Sequence, residues 1–133
     1  MGERTAEEWG RIAVGLPGWR WMPGMRIGGE VSDRHKRVGD HWHMRSAMLD
    51  PRRAHAWPDP DDPATAGCLL ALLLGPGVKH VIPTIHQRTG SASVEIDGAS
   101  NLDMVTVRHL PSLGRACIAA AEALGRWPGG GTE

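Results

Sequence analysis

Between Asp62 and Pro76 the chain reads Asp-Pro-Ala-Thr-Ala-Gly-Cys-Leu-Leu-Ala-Leu-Leu-Leu-Gly-Pro, and this run restricts the fold more than any other. Asp62 offers a side-chain acceptor to the orphan N–H groups of a helix start. Pro63 suits the first helical position, where no N–H is needed, and Gly75-Pro76 stops the helix. The residues between are apolar on nearly every face, so this helix is expected at the centre of the molecule, buried on most sides. Gly67 inside it costs about 1 kcal/mol relative to alanine. A close crossing with a neighbouring element would account for it.

Two more helices are legible. Thr5 and Glu8 have the spacing of a capping box, and Trp9, Ile12, Ala13 and Leu16 then repeat at helical intervals until Pro17-Gly18. Ser112 caps a last helix, with Leu113, Ala116, Cys117, Ala120, Leu124 and Trp127 as its buried stripe. Glu122 and Arg126 stand at i, i+4 on the other side, the spacing of a helical ion pair. Strands are predicted at Trp19–Met22, Val38–Leu49, Val78–Gln87, Ser93–Asp97 and Met104–Leu110, the third from its β-branched residues and the others from alternation. Pro83 marks the third as an edge or a bulge, Val94 and Ile96 point inward from the fourth, and Val105 and Val107 share a face of the fifth. A long loop over residues 50–62 leads into the central helix.

The order is helix, strand, strand, helix, three strands, helix. It predicts an α+β class: a small, mostly antiparallel sheet of about five short strands with three helices, in layers. Residues 1–127 make one domain with an irregular, basic insertion at 23–60, and residues 128–133 a flexible tail.

Hydrophobic residues are 41% of the chain, enough for a core, but the only aromatics are six tryptophans. They supply the large packing surfaces. Basic and acidic residues are equal at 15 each. That balance disfavours a long nucleic acid as partner, because proteins that coat one carry a positive excess. Cys68 and Cys117 lie in apolar helical patterns and read as buried thiols in a reducing compartment, with a disulfide between two core helices as the alternative. The opening MGERTAEEWG is charged, without a signal-peptide pattern. No apolar run approaches the roughly 20 residues that span a bilayer. The expected location is cytoplasmic, with no membrane partner. Edge strands and tryptophans leave room for a homo-oligomer.

The residues that could carry chemistry fall mostly between 20 and 57. Arg20, Arg26, Arg45, Arg52 and Arg53 interleave with Trp42 and Trp57. Arginine grips phosphate bidentately and tryptophan stacks on bases, so these seven are the candidate ligand-binding residues. Acidic neighbours such as Asp33, Asp40 and Asp50 offset much of the charge. Trp19 and Trp21 read as core before platform, which turns Arg20 toward solvent or a ligand.

His41 and His43 could chelate one ion from one strand face. His35, His55, His80, His86 and His109 could add ligands, although His80 and His86 on one continuous strand would stand too far apart. The carboxylates of Asp59, Asp61 and Asp62 precede a helix and could hold Mg²⁺. Nucleophilic catalysis has little support: Ser112 serves as a cap, and apolar surroundings make both thiols inert. No catalytic residue and no cofactor are expected.

The segments GWRWMPGM (18–25) and DDPATAGCLLALL (61–73), with the terminal alanine-rich helix, resemble small proteins of tailed phages and prophages. They also resemble, more distantly, the phage ABA sandwich domain, in which helices flank a small sheet. Residues 26–60 depart, being longer and more basic. The resemblance implies a viral accessory protein acting in a bacterial cytoplasm. Together with the Arg/Trp segment it leads to a non-enzymatic protein that binds a host-derived ligand, at its sharpest a nucleotide signal of antiviral defence. The alternatives are a protein–protein inhibitor of a host defence enzyme and a histidine-based metal-binding protein or metalloenzyme.

Overall fold

The computed structural model of the chain describes residues 4–29, 56–98 and 105–130. In chain order they form α1 (Ala6–Gly15), β1 (Ile27–Gly29), β2 (Ala56–Pro58), α2 (Pro63–Leu73), β3 (Val78–Ile85), β4 (Ala92–Gly98), β5 (Val105–Leu110) and α3 (Leu113–Leu124), followed by a 3-10 turn at Pro128–Gly130. The class is α+β. The strands divide into a β1-β2 ribbon and a β3-β4-β5 sheet, both antiparallel, rather than one sheet. Among the described residues no helix is long and apolar enough to cross a membrane.

Local chemistry starts each helix where the sequence places it. Thr5 Oγ1 accepts the Glu8 N–H at 3.1 Å while Glu8 Oε1 accepts the Thr5 N–H at 2.7 Å. Asp62 Oδ2 accepts the Thr65 N–H at 3.0 Å and the Thr65 hydroxyl at 3.1 Å. Thr65 is fully buried, and its Oγ1 in turn accepts the Arg26 N–H at 2.7 Å. Ser112 caps α3 through the Arg115 N–H, and Gly125 closes it in the left-handed conformation.

The central helix is α3, not α2. It lies against α1, α2, β4 and β5. Ala116, Cys117, Ile118, Ala120 and Ala121 are all fully buried. Small side chains let neighbours approach α3 from several directions, which leucine-rich α2 does not permit. α2 buries Thr65, Ala66, Leu69, Leu72 and Leu73 and exposes Pro63, Ala64, Gly67 and Ala71. The expected close crossing at Gly67 is absent: a Cβ there meets nothing within 4 Å. The core is completed by Trp9 and Ala13 of α1, Met25, Ile27, Trp127 and the inward row Ala92, Val94 and Ile96 of β4.

Other expectations change in packing. Trp19–Met22 forms no strand: Trp19 N–H reaches back to Leu16 O at 3.3 Å and Met25 N–H to Met22 O at 3.2 Å, which folds this segment into turns. Residues 50–62 are not all loop. β2 pairs with β1, and Trp57 lies opposite Gly28, where any Cβ would collide with the indole. Glu122 and Arg126 do not pair with each other: Glu122 takes Arg4 at 2.8 Å, and Arg126 donates to the Pro76 carbonyl at 3.3 Å. Pro128–Gly130, expected in the flexible tail, packs against α2 with Pro128 buried. Cys68 is only half-buried, its thiol donating to Pro23 O at 3.5 Å, and both cysteines are free. The strand expected at Val38–Leu49 lies outside the described residues.

A polar clasp joins the turn before α2 to the start of α3. Asp61 accepts the Ser112 hydroxyl at 2.6 Å and Arg115 Nε and Nη2 at 3.0 and 2.9 Å. Burial pushes the Asp61 carboxyl up. The hydrogen bonds from Arg115 and Ser112 and the Arg115 charge together outweigh it, and the pKa lies below the ordinary aspartate value. A carboxyl lowered in the folded state contributes stability above its unfolded pKa and loses it as pH falls through the folded one. Urea midpoints are therefore expected to fall as pH drops below about 4. Asp61→Asn should show a smaller acid loss than the parent; an equal loss in both proteins would contradict the clasp.

Candidate functional site

The outer face of the three-stranded sheet carries the densest group of chemically capable side chains among the described residues. β4 alternates strictly: Ala92, Val94 and Ile96 enter the core, while Ser93, Glu95 and Asp97 face out. β3 lies on one side of it, pairing Ile82 with Glu95 and Thr84 with Ser93. β5 lies on the other, with Thr106 opposite Glu95.

The pairing of β5 then slips. Val94 pairs with Val107 but Ala92 pairs with Leu110, so both Arg108 and His109 stand opposite Ser93. This is a β-bulge, which re-aims a side chain by breaking the two-residue alternation. Strict alternation would send His109 to the core side with Val105 and Val107. The bulge leaves it exposed instead, at φ 62°, the one non-glycine residue with positive φ among the described residues. A left-handed L-residue costs roughly 1–2 kcal/mol.

The displaced ring stacks on His86, with centroids 5.7 Å apart and planes 27° from parallel. His86 stands just past β3, where its N–H bonds Ser91 O at 2.9 Å and its carbonyl accepts the Gly90 N–H at 2.8 Å. Gly90 takes φ +72° to close this turn. Ser93 sits between the two histidines: its Oγ accepts the His109 backbone N–H at 3.4 Å and lies 3.5 Å from His86 Nε2. His86 and His109 border two adjoining open hollows, one of about 310 Å³ over the strands and one of about 690 Å³ beside the 86–91 turn. Arg108 lines the first and Arg88 the second. Neither guanidinium is in an ion pair among the described residues.

Strain at His109 gives a direct test. Glycine at an exposed strand position ordinarily destabilises by roughly 0.5–1 kcal/mol. His109→Gly is expected to be neutral or up to about 1 kcal/mol more stable, because relief of the left-handed conformation offsets the added chain entropy. Chemical denaturation measures it, and a loss beyond about 1 kcal/mol would mean that the position is unstrained.

Of the residues singled out in the sequence as ligand-binding, the three that are described, Arg20, Arg26 and Trp57, do not line these hollows. Arg20 is exposed between Trp19 and Trp21, which pack edge to face at 5.4 Å against the core. Arg26 is engaged with Asp59 at 3.6 Å. Trp57 is half-buried over Gly28 and beside Gly10. Trp57 is therefore a packing element of the β1–β2 corner, whereas the Arg26 side chain stays 43% exposed. Trp42, Arg45, Arg52, Arg53, His41 and His43 lie outside the described residues. The three carboxylates before α2 have separate tasks: Asp59 with Arg26, Asp61 with Arg115, Asp62 as the cap. Among the described residues no group of three or more histidines, cysteines or carboxylates is placed to share a metal ion. Burial pushes the Cys117 thiol up to about 12 and raises that of Cys68, with the Asp62 charge adding to the latter. Neither is a ready nucleophile.

His86 and His109 appear in the sequence only as two histidines among seven. The turn signal Thr89-Gly90 and the proline-marked edge strand indicate a hairpin, but the bulge that brings residue 109 beside residue 86 leaves no local trace. No family model matches this chain, and neither a curated protein nor a solved structure does.

Proposed function

We propose that this chain is a non-enzymatic binding protein for a small phosphate-bearing ligand of nucleotide type, taken on the outer sheet face. The observation that carries the reading is the strained bulge that sets His109 beside His86 and next to Arg108, which is in no ion pair among the described residues. Backbone strain of this kind persists at sites where geometry serves binding. Arg108 and Arg88 offer forked N–H donors to phosphate oxygens, Ser93 and Thr106 offer hydroxyls, and an imidazole face can stack on a base. The resemblance of residues 18–25 and 61–73 to phage and prophage accessory proteins supports reading this ligand as a nucleotide signal of antiviral defence, sequestered in a bacterial cytoplasm.

Calorimetric titration with cyclic dinucleotides, ADP-ribose and mononucleotides tests the reading. Saturable binding of at least one class is expected, weakened by Arg108→Ala by roughly tenfold, about the net worth of a charged hydrogen bond. Absence of binding by every class would overturn it. A second reading, an inhibitor of a host defence protein, draws on Ile82 and Ile85, which are 50% and 61% exposed on edge strand β3. Ile82→Asp would then abolish inhibition, while Arg108→Ala would leave it intact.

A further inference from the structure

We propose that His86 and His109 chelate a single late first-row divalent ion, Zn²⁺, Ni²⁺ or Cu²⁺, with the remaining positions open to water or to an oxygen of a bound ligand. The inference uses the same face as the nucleotide reading but does not rest on it.

Three features of the geometry converge. The first is separation. With Zn–N bonds of about 2.0–2.1 Å, two imidazoles on one tetrahedral ion have ring centroids on the order of 5–6 Å apart. His86 and His109 are at 5.7 Å before any side-chain rotation. The second is the outer partner of a ligand ring. A metal-bound histidine gives its other ring N–H to an acceptor, which fixes tautomer and orientation. Ser93 Oγ, 3.5 Å from His86 Nε2, is placed to serve as that acceptor in the Nε2–H tautomer, which would leave Nδ1 for the ion. The hydroxyl is itself held by the His109 backbone N–H at 3.4 Å, so one serine ties the two ligands together. The third is the bulge, which brings His109 to this face at the expense of a left-handed backbone. A solvated surface histidine has no use for that strain.

Imidazole nitrogen selects zinc, nickel and copper over magnesium and calcium, which take oxygen ligands. Two protein ligands leave positions free, unlike the closed four-ligand sites that are structural. An ion here would hold a phosphate oxygen between Arg108 and the histidines, a ligand bridge rather than a cross-link of the fold.

The test is calorimetric titration of chelator-treated, full-length protein with Zn²⁺ and with Ni²⁺, in phosphate-free buffer and without nucleotide. One ion per chain is expected at this site. His86→Gln and His109→Asn should each abolish its binding. Asparagine tolerates the left-handed conformation, so the second variant keeps the bulge, and matching circular dichroism spectra establish that both variants are folded. Ser93→Ala should weaken the ion by roughly tenfold, as loss of an outer partner does. Unchanged stoichiometry and affinity in both histidine variants, or no binding by the parent protein, overturns the inference. Zinc bound without any nucleotide overturns the nucleotide reading alone. Nucleotide bound by metal-free protein that takes no zinc overturns this inference alone.

Discussion

Replacing Trp127 with alanine is expected to destabilise the protein by about 3–5 kcal/mol, a large share of the roughly 5–15 kcal/mol that separates a domain of this kind from its unfolded state. Trp127 is only 1% exposed although it stands outside α3, two residues past the glycine that ends it. Its indole Nε1–H donates to Ala13 O at 3.0 Å, at the end of α1. Its backbone N–H donates to Pro17 O at 2.8 Å. Its ring meets Trp19 at 5.9 Å, and Trp19 meets Trp21. One side chain thus closes the end of α1, the 17–25 turns and the C-terminal end of α3 together. Truncation removes this packing and leaves a cavity that Gly18 and the α1 backbone are too constrained to fill. Trp127→Phe separates the terms: it keeps most of the packing and loses the hydrogen bond, an effect near 1 kcal/mol. Urea denaturation of both variants is the measurement. A loss below about 1 kcal/mol for Trp127→Ala would mean that the tryptophan is not the clamp described.

Gly114→Ala is expected to destabilise by about 1–3 kcal/mol or more, although alanine is the better helix former by about 1 kcal/mol. Gly114 is the second residue of α3 and is buried. A Cβ there would overlap the carbonyl of Pro60, which is backbone and cannot rotate away. The same Pro60 belongs to the turn that Asp61 clasps to Ser112 and Arg115. Shifting it strains the clasp as well as the contact. Gly67→Ala is the internal control. Its Cβ would meet nothing, and the site is exposed in the middle of α2. That substitution should stabilise by roughly 0.5–1 kcal/mol. Thermal midpoints moving in opposite directions for two glycine-to-alanine changes in two helices would show that contact, not propensity, decides the sign. Midpoints moving together would refute the packing at Gly114.

The behaviour of these two glycines marks how far the sequence can be read. Both helices are legible from their caps, because a cap is a chemical agreement between residues three apart. Thr5 with Glu8, Asp62 with Thr65 and Ser112 with Arg115 all bond as their spacing requires. β4 and β5 are legible from alternation and β3 from its β-branched residues, and the inward row Ala92, Val94, Ile96 extends the predicted one. Glu122 and Arg126 had the right spacing for a pair, but each found a partner far along the chain. Spacing along one helix says nothing about what another element brings within reach. Likewise, local sequence cannot show that Arg26 stands beside Asp59 or that Trp57 packs over Gly28.

What the sequence determined by itself was the three helices, the strands β3 to β5 and the α+β class, because caps, stops and hydrophobic period are interactions over one to four residues. The tertiary structure alone decided which helix lies at the centre. It chose the alanine-rich α3 over the more apolar α2, since close approach from several sides depends on small side chains more than on hydrophobicity. It alone made the pair of His86 and His109, residues 23 apart in the chain, because a bulge is a mismatch between two strands and exists only once both are paired.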